Sequence, residues 1–507
     1  MNPDSPRAAV VIAPGLDHHL LRGWIRAGHL PHLAGIMERG SLRPASADEP
    51  TDPSTAWRPI LGGGPGTGPS LLARLAEEPR DVLTVFVPEH EEVPGVRSVM
   101  SPPVPHDCTP MGPYSVVLAE GAALPGQPVT GQGHAVRLRD GVAEPYPGIR
   151  VQAFAPDREG RMRLRVADHA TALPARQWSP WIAVPGAGGT EVTRLVVLDT
   201  SPAVIYATPP QTGTAAPHGP VPLSGLPGTL AAHSDGVLDD GLVAALFDDC
   251  AAQANEQIIS AAAERTAVLV AGVPYLDAVQ HHLWHQLDFT SHWFDSRRRP
   301  ALAVLDAYRK LDELVGALSA TCPELLIASP HGSQSLRATV DLNVWLRSRG
   351  LDGQAHSPDG RSLRLRLAGR DPDGVVPQSA AQAVLETIAA RLGDLAEIDG
   401  SGLVVSRITT RPGDPARRPP DEPDAVVRFT PGHRARRDTD RPAGPDAVLV
   451  RSLLRVSGHH SDLDPVFVPG AVLTTRPAVE GRIDWARVCD LASWLFTPAG
   501  AMPPQRT

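Results

Sequence analysis

Apolar residues along the chain fall into short continuous runs that alternate with helically spaced stretches. Ala8-Ala9-Val10-Val11-Ile12-Ala13 is apolar throughout, as expected of a central strand covered on both faces. From His19 to Arg39, the positions Leu20, Trp24, Ile25, Leu30, Leu33 and Ile36 follow a helical period. Val82 to Val87 is strand-like. From about residue 100 to 225 the pattern changes to Pro, Gly and short β-type runs, such as those at 149–152, 162–166 and 195–198. The alternation then returns. It predicts helices over 242–263, 299–320 and 380–395, strands over 266–271 and 325–328, and a Pro/Arg/Asp-rich loop over 411–446. Alternating strands and helices imply an α/β fold, a doubly wound and mostly parallel sheet flanked by helices. Residues 1–100 and 226–507 read as the α/β core, and 101–225 as a β-rich inserted or cap region.

Composition narrows the class. The 507 residues are 20% charged and 42% apolar, ordinary for a soluble globular protein. Pro (54) and Gly (46) are plentiful and aromatics scarce at 4%, which favours loops and turns over long bundles. The net charge is −9 and no basic block recurs, which argues against a nucleic-acid partner. Arg434 to Arg441, interrupted by Asp438 and Asp440, reads as a solvated loop. The four cysteines (Cys108, Cys250, Cys322, Cys489) form no CxxC, which fits a reducing compartment. With no signal-peptide pattern and no apolar run near the roughly 18 residues of a membrane span, the expected location is the cytoplasm, away from membranes. The expected partner is a small-molecule substrate; oligomeric state is not indicated.

Metal-type residues sit just after the predicted strands: Asp17, the pair Asp277 and His281, His331, and the pair His459 and His460. Open α/β sheets bind ligands beyond the carboxyl ends of their strands. Carboxylate and imidazole together suit zinc. The four-residue spacing of Asp277 and His281 puts both on one helix face. Each residue alone is as readily a helix cap or an ordinary core histidine; their gathering at one sheet edge points to a metal. His18, His19, His282 and His285 crowd the same edge. They read as helix or loop surface residues, with one available to bind a substrate anion or act as a general acid.

The opening segment VVIAPGLDHHLLRGWIRAGHLPHLAGIMERGSL resembles the start of alkaline phosphatase superfamily phosphodiesterases, the type I phosphodiesterase/nucleotide pyrophosphatase group. Further similarity lies at Ala56-Trp57 and Gly62-Gly63, at Pro274 to Trp284, at Val304 to Asp312, at Ser329 to Gly332, at Asp341 to Gly350, at Leu367 to Val376 and at Gly458 to His460. Gln177 to Trp181 resembles a motif of the inserted region in one bacterial branch. The resemblance implies two zinc ions that clamp an in-line phosphoryl transfer, and a metal-activated Thr or Ser nucleophile. It assigns Asp277, His281 and His460 to one zinc, with His459 as the alternative to His460. It assigns Asp17 and His331 to the other zinc, whose remaining acidic ligand falls on Pro330. The nucleophile position falls on Pro53, which has no hydroxyl, next to Ser54 and Thr55. The implied cofactor is therefore one zinc ion per chain, since the second site is short of ligands.

Three functions fit these residues. The first is a metal-dependent hydrolase of a small phosphoester or phosphodiester with an atypical single-metal site, using Ser54, Thr55 or water as nucleophile. The second is an enzyme of the same fold running non-phosphate Lewis-acid chemistry at one zinc. The third is an inactive relative that keeps the metal for structure or binding.

Overall fold

The computed structural model describes residues 7–47, 53–62, 69–77, 81–88, 93, 95–99, 119–120, 134–146, 148–186, 189–201, 203–212, 229–230, 232–233, 236–264, 266–291, 293–294, 302–397, 400, 402–419, 422–436, 444–451, 456–476 and 481–496. Its centre is an eight-stranded sheet built from β1 (Ala8–Ile12), β2 (Ser41–Ser46), β3 (Val82–Val85), β4 (Val96–Val99), β5 (Val268–Gly272), β6 (Glu324–Ala328), β7 (Gly470–Thr474) and β8 (Ile483–Asp484). The order is β8-β2-β7-β6-β1-β5-β3-β4. β1 pairs in parallel with β5 and β6, and β5–β3 and β3–β4 are parallel too. β7 runs antiparallel to β6 and β2. This is the α/β, mostly parallel architecture expected from the alternation.

All five residues of β1 are buried. Successive side chains point to opposite faces of a strand, so Ala9 and Val11 join one core cluster while Ala8, Val10 and Ile12 join another. The first cluster is completed by α1 (His18–Arg26), α2 (Pro31–Arg39), and residues of three later helices. The second is completed by residues of α3 (Pro53–Leu61), α4 (Leu71–Glu77) and the helix Val488–Trp494. The three later helices are α5 (Asp240–Ala263), α6 (Leu276–Leu283) and α7 (Ala303–Ser319). Both faces are therefore covered, which is why the strands read as unbroken apolar runs.

Two expectations need correction. The helical pattern from His19 to Arg39 is two helices, not one. Gly28 adopts φ +78, and Pro31 occupies the first turn of α2, where its fixed φ suits a helix start but ends continuity. The loop expected over 411–446 contains the strands Ala425–Phe429 and Gly432–Ala435. Arg434, expected in a solvated loop, is 2% exposed within the second of them. Residues 437–443 lie outside the described ones.

Between 134 and 212 the chain forms short antiparallel sheets around their own apolar cluster. They dock on α5. Trp178 Nε1 donates to Leu242 O at 2.8 Å, and Arg194 pairs with Asp249 at 2.6 Å. The QWSPW segment thus anchors these strands to a core helix. A further block, 334–451, forms two small sheets over another apolar cluster. Its polar centre is Asp424, which accepts from Arg370 at 2.9 and 3.0 Å and from Arg418. The Leu367 to Val376 segment, including Arg370 and Asp371, serves this packing. Among the described residues no helix is long and apolar enough to cross a membrane.

Candidate metal centre

β1 runs into a turn at Gly15 (φ +83) and delivers Asp17 to the start of α1. Asp17 Oδ1 accepts from the amides of His19 (2.8 Å) and Leu20 (2.9 Å), so one oxygen caps the helix. Its Oδ2 faces Gly332, where an added Cβ would stand 2.0 Å away. Burial pushes the Asp17 carboxyl above its ordinary pKa. The turn is held from behind. Tyr308 on α7 accepts from Asp17 N at 2.8 Å and donates to Gly15 O at 3.3 Å, and Gln280 on α6 donates to the same carbonyl at 2.7 Å.

β5 leads into α6, which carries Asp277 in its first turn and His281 one turn later. His460 arrives from the far end of the chain, just after the short strand Gly458–His459. Gly458 permits that approach: a Cβ there would lie 2.2 Å from Gln280 O and 2.8 Å from Trp284 Cβ. Asp277 Oδ2 stands 3.5 Å from His281 Nε2 and 3.5 Å from His460 Nε2. The three ligand atoms all lie within 4.8 Å of one another.

These residues fit zinc on three counts. With zinc–ligand bonds of about 2.0–2.2 Å, neighbouring ligand atoms of a tetrahedral site stand roughly 3.4 Å apart, close to the observed gaps. Asp277 Oδ1 is buried with no hydrogen-bond partner among the described residues. His281 Nδ1 lies 2.8 Å from Gly458 O; it donates there, which turns Nε2 toward Asp277. Burial alone would raise the Asp277 carboxyl, but the facing His460 and His281 outweigh it and hold it well below the usual range.

His331 belongs to the same neighbourhood. Its ring stacks on His460, with centroids 3.7 Å apart and planes at 16°. Its Nδ1 donates to Gly332 O at 3.1 Å, and Nε2 is buried without a partner among the described residues. Burial and the adjacent His460 lower its pKa to about 3, so the ring is neutral. The two neighbouring histidines differ in what they face. His460 faces Asp277, whereas His459 Nδ1 meets Ser461 O at 3.3 Å.

Other candidates stand apart. Pro53, Ser54 and Thr55 open α3, but their side chains are outside those described, as are Thr51 and Asp52. Pro330 offers no ligand, and its neighbour Ser329 Oγ donates to His331 O at 2.7 Å. Of the four histidines expected at the surface, His19 is exposed but His18, His282 and His285 are buried. Burial lowers His18 to about 4. The helical period could not reveal this, because the covering residues come from distant segments. Gln280 and Tyr308, which hold the Asp17 turn, were not singled out from the sequence. Their signal lay inside the segments Pro274 to Trp284 and Val304 to Asp312 that carried the resemblance.

Comparison with known proteins agrees with that resemblance. Residues 205–419 match the family described as type I phosphodiesterase / nucleotide pyrophosphatase. No curated protein matches the chain. Among solved structures, it is similar to phosphonoacetate hydrolase from Sinorhizobium meliloti 1021 in complex with phosphonoacetate, at 12% identity and a TM-score of 0.45, over 98% of this chain and 96% of that one. The same hydrolase in complex with phosphonoformate gives 13% identity and a TM-score of 0.43, over 98% and 96%. Wild-type alkaline phosphatase PafA gives 11% identity and 0.30, over 53% and 52%. The family match spans Asp277, His281 and His331 and ends before His460, so over residues 205–419 this chain is similar to the type I phosphodiesterase / nucleotide pyrophosphatase family.

Proposed function

We propose that this protein is a hydrolase of a small phosphoester or phosphodiester that works with one zinc ion held by Asp277, His281 and His460. The observation that carries this reading is the convergence of three ligand atoms within 4.8 Å at the carboxyl edge of the central sheet. When bound, zinc supplies Lewis-acid stabilisation of the negative charge that develops on phosphoryl oxygens. The chain's own residues set the rest. Asp277 offsets the ion's charge. Gly458 O fixes the His281 tautomer. The neutral His331, stacked on His460, shields one side of that ring from water. Pro53 has no hydroxyl, so the attacking oxygen comes from Ser54, Thr55 or water. Asp17 and His331 form an incomplete second site, because Pro330 withdraws a ligand. In this reading residues 101–225 cap the α/β core of 1–100 and 226–507 and shape the pocket, and the protein works in the cytoplasm.

One observation favours a second reading. His281 and His460 are 4% and 1% exposed, a burial that suits a structural ion as well as a catalytic one. Metal analysis and turnover separate the two. The purified protein should carry one zinc per chain and hydrolyse bis(p-nitrophenyl) phosphate or its monoester. Asp277→Ala should lose both the metal and the turnover. Hydrolysis that survives this substitution would sink the catalytic assignment, while bound zinc without any turnover would favour the structural one.

A further inference from the structure

Behind the candidate metal centre lies a polar ring outside the ligand set, with buried histidines and serine around a half-buried Asp240. Asp240, at the start of α5, spans two histidines: its Oδ1 is 3.1 Å from His233 Nε2 and its Oδ2 2.8 Å from His285 Nε2. His233 Nδ1 meets His282 Nδ1 at 3.2 Å, next door to His281. His285 Nδ1 meets Ser457 Oγ at 2.9 Å, and the His285 amide donates to that same oxygen at 3.0 Å. Ser457 N then donates to His281 O at 2.8 Å. His281 is thus gripped by its main chain and, through Gly458 O, by its ring. The chain of contacts leaves Asp240 in two directions and closes on His281.

Ser457, His285 and Asp240 have the order and spacing of a nucleophile triad, but Ser457 is 3% exposed and its oxygen is occupied by the His285 amide. It is a link, not an attacking group. Nor is the ring filler. Partial burial raises the Asp240 carboxyl by desolvation, and the two histidine contacts overcome that and hold it well below the usual range. A charge kept in such a place fixes the protons around it. With Asp240 accepting from the Nε2 atoms, His285 Nδ1 faces the Ser457 hydroxyl at 2.9 Å, and that hydroxyl also lies 3.4 Å from His282 O, so both of its contacts stand beside His281.

We infer that Asp240 is a positioning residue for the metal centre, acting through His285 and Ser457 to fix His281 and, three residues beyond Ser457, His460. The inference rests on the zinc reading of Asp277, His281 and His460. Outer-shell partners of metal ligands orient them, and their loss costs about 10–100-fold in metal affinity. In Asp240→Asn the amide group presents a donor where one histidine also donates. The hydrogen bonds around His285 then rearrange, and Ser457, whose amide holds His281 O, shifts with them.

Zinc affinity by chelator competition and the cobalt(II) absorption spectrum test this in the full chain. Thermal unfolding of the metal-free protein monitors the fold. Asp240→Asn and Ser457→Ala should each weaken zinc binding by about 10–100-fold and alter the cobalt spectrum. The double variant should be no weaker than the weaker single one, because both break one chain. Ser457→Ala removes a single hydroxyl and carries the test if Asp240→Asn does not fold. Wild-type affinity and spectrum in a folded single variant, or losses that multiply in the double variant, would overturn the inference. Wild-type protein that binds no zinc would instead overturn the centre on which it rests.

Discussion

At the scale of single residues, the site depends on side chains that are missing. Gly15, Gly332, Gly458 and Gly470 all stand where a Cβ would strike a loop or ligand of the centre. Gly332 is the most exacting. A methyl group there would lie 2.0 Å from Asp17 Oδ2, and Asp17 cannot swing aside because its other oxygen caps α1. Gly332→Ala should therefore cost about 1–3 kcal/mol by overpacking, read from denaturant unfolding. A variant as stable as the wild type would show that Asp17 is free to move. The same residues explain why the site was partly legible. Asp277 and His281 share one helix face, so their spacing betrays them. Asp240, His233, His285 and Ser457 meet only in three dimensions, and each in isolation reads as a cap, a core histidine or a loop serine.

Among the elements, α2 is held by a neighbour and not by its own sequence. Its N-cap residue Leu30 makes no side-chain cap bond. Asp312 on α7 supplies one instead, accepting from Leu33 N at 2.8 Å and His32 N at 3.3 Å. Asp312→Ala should destabilise the protein by about 0.5–2 kcal/mol, the range of a lost cap, in thermal or denaturant melts. Asp312→Asn, which keeps an acceptor, should lose less, and equal losses would rule out the capping role. Elements whose stability is local or uniformly apolar are legible: β1, β5 and β6 as continuous runs, α5 as a long apolar helix and α7 as an amphipathic one. Elements built on buried charge are not. The strands at 425–429 and 432–435 contain Arg428 and Arg434, 5% and 2% exposed, and an arginine inside a run erases the apolar pattern that marks a strand. The break between α1 and α2 was visible as Gly28 and Pro31 but was outweighed by a helical period that continues through it.

For the molecule as a whole, sequence order and spatial order diverge. The central strand β1 has its two neighbours at Val268 and Glu324, opposite Ala8, and β2 meets Thr474 through Ser41. The first separation is 268 − 8 = 260 residues and the last 474 − 41 = 433 residues. Contacts this distant in sequence slow folding, because loop closure precedes any gain from pairing. During synthesis at about 5–20 residues per second, the apolar segment 8–12 waits roughly 13–50 s before its first partner strand is made. Through that interval it is a strand with two open edges, and open apolar edges associate with one another. A chain ending at residue 264 lacks β5, β6 and β7, so β1, β2 and β3 have no strand between them. Such a chain should be aggregated or unfolded by sedimentation and circular dichroism, and a soluble, folded product would contradict this. The sheet that gathers the candidate metal ligands at one edge therefore makes the newborn chain dependent on whatever shields its first strand until the last ones arrive.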